Sequence, residues 1–113
     1  MEVNFFNIPV KYQLTIKKTI NDFIAKHQLN PQVSINIFFV TKTKIQALNK
    51  RYRKVDQPTD VLSFPIWQNL QKILKKGKVA LGDIFICPDE TNIDKNLENL
   101  IRHALNHLIG KHH

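Results

Sequence analysis

Cysteine is nearly absent from this chain, which has a single one, Cys87, among 113 residues. One cysteine excludes an internal disulfide framework and a zinc cluster built from cysteines. Because Cys87 follows the apolar run Ile84-Phe85-Ile86, we interpret it as a buried strand residue rather than as a reactive thiol.

Glycine and proline are also scarce, and no apolar stretch is long enough to cross a bilayer. Three glycines and five prolines argue against a disordered or fibrous protein. The N-terminus carries an acid at Glu2 and lacks the apolar core of a signal peptide. We therefore expect one domain over residues 1–113, located in the cytoplasm.

Acidic residues are in deficit, with nine Asp and Glu against 17 Lys and Arg. The net charge of +8 and the sequence pI near 9.8 favour a polyanionic partner, and nucleic acid is the usual one in a cytoplasm. Composition offers a second explanation. A codon bias toward A and T would also produce fourteen lysines and eleven asparagines.

The apolar pattern predicts strands and helices in alternation. In the first helix, for example, Ile16, Ile20, Phe23 and Ile24 recur at spacings of four and three. The predicted elements are a strand at 3–8, a helix at 10–27, a strand at 33–40, a helix from 43 to about 53, strands at 60–64 and 81–87, and a last helix whose first turn contains Pro88.

Two local features and the fold class follow from this pattern. Thr43 and Gln46 resemble a capping box for the second helix. Residues 66–80 fit either a basic amphipathic helix or a wide connector between two strands, and we favour the connector. Three layers are not expected in a chain of this length, so we predict an α+β fold in which helices pack on a single mixed sheet of about four strands.

Four of the five histidines lie within the last eleven residues, at positions 103, 107, 112 and 113. The preceding apolar residues recur at helical spacing and define a buried stripe: Leu97, Leu100, Ile101, Ala104, Leu105 and Leu108. His103 and His107 are four residues apart, so they project from one side of this helix, one turn apart. On a helical wheel they lie at the shoulder of the stripe, where a cleft would form.

Gly110 is a natural helix stop that allows the chain to reverse and His113 to return toward this pair. The pattern His-x-x-x-His-x-x-Gly-x-x-His has the ligand spacing of the metzincin zinc proteases. Three imidazoles would bind one zinc ion and leave a fourth position for water, as in a catalytic site. We therefore predict a metal-dependent hydrolase with His103, His107 and His113 as ligands and His112 as an alternative third ligand, although imidazole suits nickel as well as zinc.

A plainer interpretation is that the two helical histidines are ordinary surface residues and that the terminal pair is a frayed end or the remnant of a tag. The register of Gly110 and His113 favours the metal site. A zinc protease of this pattern has Glu directly after the first histidine as its general base, and this chain has Ala104 there. That substitution argues against peptide hydrolysis.

Several short motifs, together with the terminal histidines, resemble the bacterial YbeY family. They follow the family's order over about residues 48–113: Leu48-Asn49, Tyr52-Arg53, Asp56, Pro58-Thr59, Val61-Leu62-Ser63-Phe64-Pro65, Leu81-Gly82-Asp83-Ile84 and the three-histidine pattern. The combination is highly specific, whereas the first 40 residues match only in pattern. The chain departs from the family at Ala104, Asn106 and Lys111-His112.

The resemblance implies a zinc-dependent, single-strand-specific endoribonuclease. It would act in ribosomal RNA maturation, particularly at the 3′ end of the small-subunit RNA, and in ribosome quality control. The implied zinc ligands, one ion per chain, are His103, His107 and His113, and the implied functional arginine is Arg53. The implied partners are single-stranded or ribosomal RNA and the small ribosomal subunit, with no membrane and no nucleotide cofactor.

The residue types are consistent with these roles. The guanidinium of Arg53 can bind two phosphate oxygens and stays charged at any working pH, although a helix-end arginine can also serve only the helix dipole. Lys50, Arg51 and Lys54 are candidates for contact with the RNA backbone, with solvated surface cations as the alternative. Two other functions stay open: an RNA-binding ribosome assembly factor with a structural or vestigial metal, and a hydrolase of a non-RNA substrate.

Overall fold

The architecture is that of a computed structural model, which describes residues 1–29, 32–66 and 79–110. In chain order the elements are β1 (Glu2–Phe6), α1 (Val10–Lys26), β2 (Val33–Phe39), α2 (Lys42–Arg53), β3 (Val61–Pro65), β4 (Val79–Ile86), a 3₁₀ turn (Pro88–Glu90) and α3 (Ile93–Leu108). The described strands form one four-stranded sheet in the order β1-β2-β4-β3. Strands β1, β2 and β4 are parallel and β3 is antiparallel to β4, which confirms the predicted α+β fold with a mixed sheet.

One face of the sheet carries the main core, covered by α1 and α3. The apolar stripes predicted for these two helices are buried. They pack on the alternate residues of β2 that point to the same face, which are Val33, Ile35, Ile37 and Phe39. A hydrogen bond of 2.8 Å from Tyr12 Oη to Asp94 Oδ1 links the two helices at their N-terminal ends.

The opposite face carries a smaller cluster beneath α2. Ile45 packs there with Leu62 and Cys87, and Phe64 and Phe85 lie at its margin. Helices therefore lie on both faces, contrary to our expectation that so short a chain would not build three layers. A 12-residue helix is enough because it covers only β3 and the end of β4. Cys87 follows β4 rather than lying within it, and burial raises the pKa of its thiol, as expected of an inert cysteine.

The predicted first residues of α2 and α3 are both wrong by a few positions. Thr41, not Thr43, caps α2 and accepts a hydrogen bond of 3.2 Å from the Lys44 amide, so the helix begins two residues earlier than a box at Thr43 would place it. Pro88 begins a separate 3₁₀ turn, and α3 begins after Asn92, whose side chain caps it. The connector predicted at 66–80 lies outside the described residues from 67 to 78.

Gly82 allows the C-terminal part of α3 to approach the sheet. The pairing of β2 with β4 shifts by one residue at this point, between Ser34 and Ile35, and Gly82 has a φ of +150°. A Cβ atom there would lie 2.3 Å from the Phe64 carbonyl oxygen and 2.9 Å from Leu108 Cδ2. Leu108 can therefore pack against β3 and β4, and the neighbouring His107 reaches the edge of the sheet.

This close approach predicts a large cost for Gly82→Ala. The added methyl group must displace backbone or Leu108, and the backbone conformation is strained for alanine, so we expect the free energy of unfolding to fall by about 2–4 kcal/mol. Urea denaturation followed by circular dichroism measures this change. The exposed Ala80→Ser in the same strand is the control and should stay within about 0.5 kcal/mol of the parent. Equal midpoints for Gly82→Ala and the parent would contradict the close approach.

Candidate active site

The two described histidines of the predicted metal site lie on one side of α3, one turn apart. His103 is exposed and His107 is half-buried, which agrees with the predicted shoulder position. Gly110 has a φ of +85°, and its amide donates a hydrogen bond of 3.0 Å to the His107 carbonyl oxygen at the end of the helix. Gly110 therefore ends the helix in the left-handed region, as predicted, and the return of the chain toward the pair stays a prediction. His112 and His113 lie outside the described residues, as does their relation to the pair.

A metal site of three ligands is not assembled by the described residues alone. Over 1–29, 32–66 and 79–110, no group of three or more His, Cys, Asp or Glu side chains is placed to hold a metal ion. His103 and His107 therefore stay a predicted pair of ligands, and the third position depends on the last three residues.

A hydrogen bond joins α3 to the edge strand of the sheet. Ser63 is buried in β3, and its Oγ lies 2.5 Å from Nδ1 of His107, 44 residues away in the sequence. Ser63 points to the face covered by α3, because its neighbours Leu62 and Phe64 point to the α2 face. The contact sets the orientation of the His107 imidazole.

Arg53, the last residue of α2, reaches the same serine from the other side. Its Nη2 donates a hydrogen bond of 3.0 Å to the Ser63 carbonyl oxygen, and its guanidinium carbon lies 5.8 Å from the centroid of the Phe64 ring. Ser63 thus contacts Arg53 through its backbone and His107 through its side chain. The structure brings together a predicted catalytic residue and a predicted metal ligand at one edge of the sheet.

The loop between α2 and β3 is fastened to α2, which places Arg53 beside the strand. Gln46 Nε2 donates to Asp56 Oδ1 at 3.0 Å, and the buried Asn49 donates from Nδ2 to the Gln57 carbonyl oxygen at 2.9 Å. Lys54 ends the helix in a left-handed conformation with a φ of +64°. These contacts give a structural role to Asn49 and Asp56, two residues of the family motifs.

The three residues predicted to contact RNA lie at the same end of α2 as Arg53. All three are exposed. Lys50 Nζ lies 3.8 Å from Asp56 Oδ2, a surface ion pair that contributes little to stability, and the guanidinium of Arg51 lies 5.3 Å from the centroid of the Tyr52 ring. Together with Lys54, they place positive charge around Arg53.

Sequence reasoning missed two parts of this region. It named Ser63 without a role, because the contact with His107 is visible only when the strand order is known. It also missed a row of five aromatic side chains, Tyr52, Phe64, Phe85, Phe38 and Phe6, each ring in contact with the next. The only signal was that Phe6, Phe38 and Phe85 each fall in or near the last part of a predicted strand.

Within the described ranges, no helix is both long and apolar enough to cross a membrane.

Comparison with known proteins gives a consistent result over the whole chain. The family model described as endoribonuclease YbeY matches residues 2–113. The endoribonuclease YbeY of Acholeplasma laidlawii is 33% identical over 122 residues, covering 100% of this chain and 82% of that protein. The endoribonuclease YbeY of Acetivibrio thermocellus is 27% identical over 137 residues, covering 100% of this chain and 85% of that protein.

A solved structure supports the fold. The solution structure of a Thermotoga maritima protein superposes with a TM-score of 0.55 at 24% identity, covering 96% of this chain and 72% of that one. The sequence motifs, the mixed sheet and the match of the family model therefore lead to one conclusion: this chain belongs to the YbeY family of endoribonucleases.

Proposed function

We propose that this protein is a zinc-dependent endoribonuclease that cuts single-stranded RNA. Its substrate would be ribosomal RNA, with the 3′ end of the small-subunit RNA as the processing site and a further role in ribosome quality control. Relatives named endoribonuclease support the RNA-cleaving activity. The proposal depends mainly on the position of Ser63. Its backbone carbonyl contacts Arg53 and its side chain contacts His107.

Two of the three proposed zinc ligands, His103 and His107, lie among the described residues. They would bind the ion together with His113, and neutral histidine nitrogens are ordinary zinc ligands. In this proposal Nδ1 of His107 carries the proton and donates to Ser63 Oγ, and Nε2 would bind the metal. When bound, the metal supplies Lewis acidity and lowers the pKa of a coordinated water to about 7.

Arg53 would bind the scissile phosphate. A guanidinium has five N–H donors, and the hydrogen bond to Ser63 uses Nη2 and fixes the plane of the group. Fixed donors beside the phosphate stabilise the negative charge that builds on its oxygens as the bond breaks. The exposed cations Lys50, Arg51 and Lys54 would neutralise neighbouring phosphates.

Peptide hydrolysis suits this site less well than RNA cleavage does. Ala104 occupies the position of the protease general base and is only 1% exposed, on the face of α3 that packs into the core. Alanine has no group that can accept a proton, so the base that peptide hydrolysis needs is absent at this position. The net charge of +8 also favours a polyanionic substrate over an ordinary protein.

His107→Ala should remove both zinc and activity, because it deletes a proposed ligand. We expect the zinc content measured by elemental analysis to fall from about one per chain, and the cleavage of single-stranded ribosomal RNA to stop. In the parent protein a chelator should abolish cleavage, and casein should stay intact. His27→Ala, outside the site, is the matched control. Full cleavage in the presence of the chelator would overturn the zinc dependence, and RNA binding without any cleavage by the parent would favour an assembly factor instead.

Arg53→Ala should reduce cleavage without removing zinc. Loss of one group that stabilises charge in the transition state costs about 100-fold or more in rate, which we expect to see in kcat/KM for a single-stranded RNA substrate. The kcat/KM of Arg53→Lys should lie between those of the parent and Arg53→Ala, because lysine keeps the positive charge but lacks the planar pair of donors. Arg102→Ala, which removes an exposed arginine paired with Glu98, is the control. Parent-like kcat/KM for Arg53→Ala would exclude the phosphate-binding role.

Ser63→Ala tests the hydrogen bond to His107 separately from the metal ligands themselves. Loss of a group that orients a ligand typically weakens metal binding by about 10- to 100-fold, and we expect this decrease in zinc affinity in competition with a chelator. Ser63→Thr keeps a hydroxyl and should restore most of the affinity. If both variants bind zinc as tightly as the parent, the serine does not position the ligand.

A further inference from the structure

Five aromatic side chains form a continuous row across the sheet, here called the aromatic row. It begins at the C-terminal end of α2 and crosses β3, β4 and β2 to reach β1, in the order Tyr52, Phe64, Phe85, Phe38 and Phe6. The last three rings are stacked, with centroids 4.5 Å apart at each step, whereas Phe64 meets both of its neighbours edge to face at 5.1 and 5.7 Å. Strand register explains the stacking, since Phe6, Phe38 and Phe85 are direct partners.

The row lies on the face of the sheet opposite α1 and α3. Among the described elements only α2 packs on this face, and it does so over the β3 side. The row is accessible at both ends, where Tyr52 is 53% exposed and Phe6 is 43% exposed. The adjacent row on the same face consists of Asn4, Asn36 and Asp83, which are joined to one another by two hydrogen bonds of 3.0 Å.

A groove of about 720 Å³ adjoins the row where β1, β2 and β4 end. Phe38 and Phe85 of the row line this groove together with the polar residues Asn7, Lys44 and Asp89. Ligand sites combine an apolar lining with a few polar groups, and this groove has both. A flat heterocycle with hydrogen-bonding edges, such as a nucleobase, fits that chemistry.

Positive charge accompanies the row where it meets the candidate active site. The guanidinium of Arg51 lies over Tyr52, and that of Arg53 lies over Phe64, so the row begins at the arginine that we assign to the scissile phosphate. Aromatic rings alternating with cations are the chemistry by which proteins bind single-stranded nucleic acid: bases stack on the rings while the cations contact phosphates.

We propose that the aromatic row is the track along which single-stranded RNA runs from the cleavage site to the β1 edge of the sheet; the proposal rests on the function proposed above. Phe38 and Phe85 are half-buried and Phe6 is exposed, so a base can lie over the stacked rings edge to face. The outer face of Phe6, on the edge strand β1, is the position for a base that stacks face to face. Duplex RNA is excluded because its bases are already paired and stacked.

Phe6→Leu tests the far end of the track. It keeps an apolar side chain but removes the ring, and stacking of one base on a ring is worth about fivefold or more in affinity. We expect the ratio of parent to variant affinity to rise with the length of a single-stranded oligonucleotide, as the RNA becomes long enough to reach β1. Fluorescence anisotropy in a His107→Ala background measures binding without cleavage, and KM for the zinc-loaded Phe6→Leu protein should rise in parallel. A 2-aminopurine placed at the distal end should lose its quenching in the variant.

Matched variants separate stacking from a structural effect. Phe6→Tyr keeps the ring and should retain affinity, and Phe5→Leu changes the neighbouring phenylalanine on the opposite face and should have no effect. If the parent cuts RNA but Phe6→Leu binds oligonucleotides of every length as the parent does, or weakens duplex binding equally, the track is wrong and the proposed function stands. If the parent neither binds nor cuts single-stranded RNA, both proposals fail.

Discussion

The hydroxyl of Ser63 is a polar group on an otherwise apolar face of the sheet, and its burial requires a partner. His107 is that partner. The hydrogen bond serves both residues. It fixes the orientation of the imidazole, and it satisfies the buried hydroxyl group of the serine. Since Arg53 donates a hydrogen bond to the Ser63 backbone carbonyl, a shift of β3 would move both candidate site residues together.

The position of Ser63 depends on how closely α3 approaches the sheet. Leu108 follows His107 directly, and it can settle against the sheet only because Gly82 has no Cβ. The same glycine lies opposite Pro65 in the pairing of β3 with β4. Gly82 and Ser63 therefore act together. Gly82 allows α3 to lie close to β3, and at this short distance Ser63 can form a hydrogen bond with His107.

Local patterns predicted the elements well, whereas contacts between distant elements were not accessible from the sequence. The stripe of α3 has a period of 3.6 residues and is visible within sixteen positions, so the placement of His103 and His107 followed from counting. The Ser63–His107 contact joins residues 44 apart, and the aromatic row depends on β4 lying between β2 and β3. No periodicity within a segment encodes strand order. The predicted cap at Thr43 was wrong for a smaller reason: Thr41, two residues earlier, is an equally suitable capping residue, and it is the one that caps α2.

Among the described strands β3 lies at the edge of the sheet, and this explains how one site can have access to both faces. Alternate residues of a strand point to opposite faces, so Ser63 meets α3 while Phe64 joins the aromatic row. In a central strand, neighbouring strands would separate these two sides. At an edge, a single side chain can pass around the strand, and Arg53 does so by contacting the Ser63 backbone and the Phe64 ring. The same hydrogen bond occupies a carbonyl group of the edge strand and so reduces its capacity to pair with another chain. The arginine thus protects the sheet edge while it connects the predicted metal ligands with the surface proposed to bind the bases.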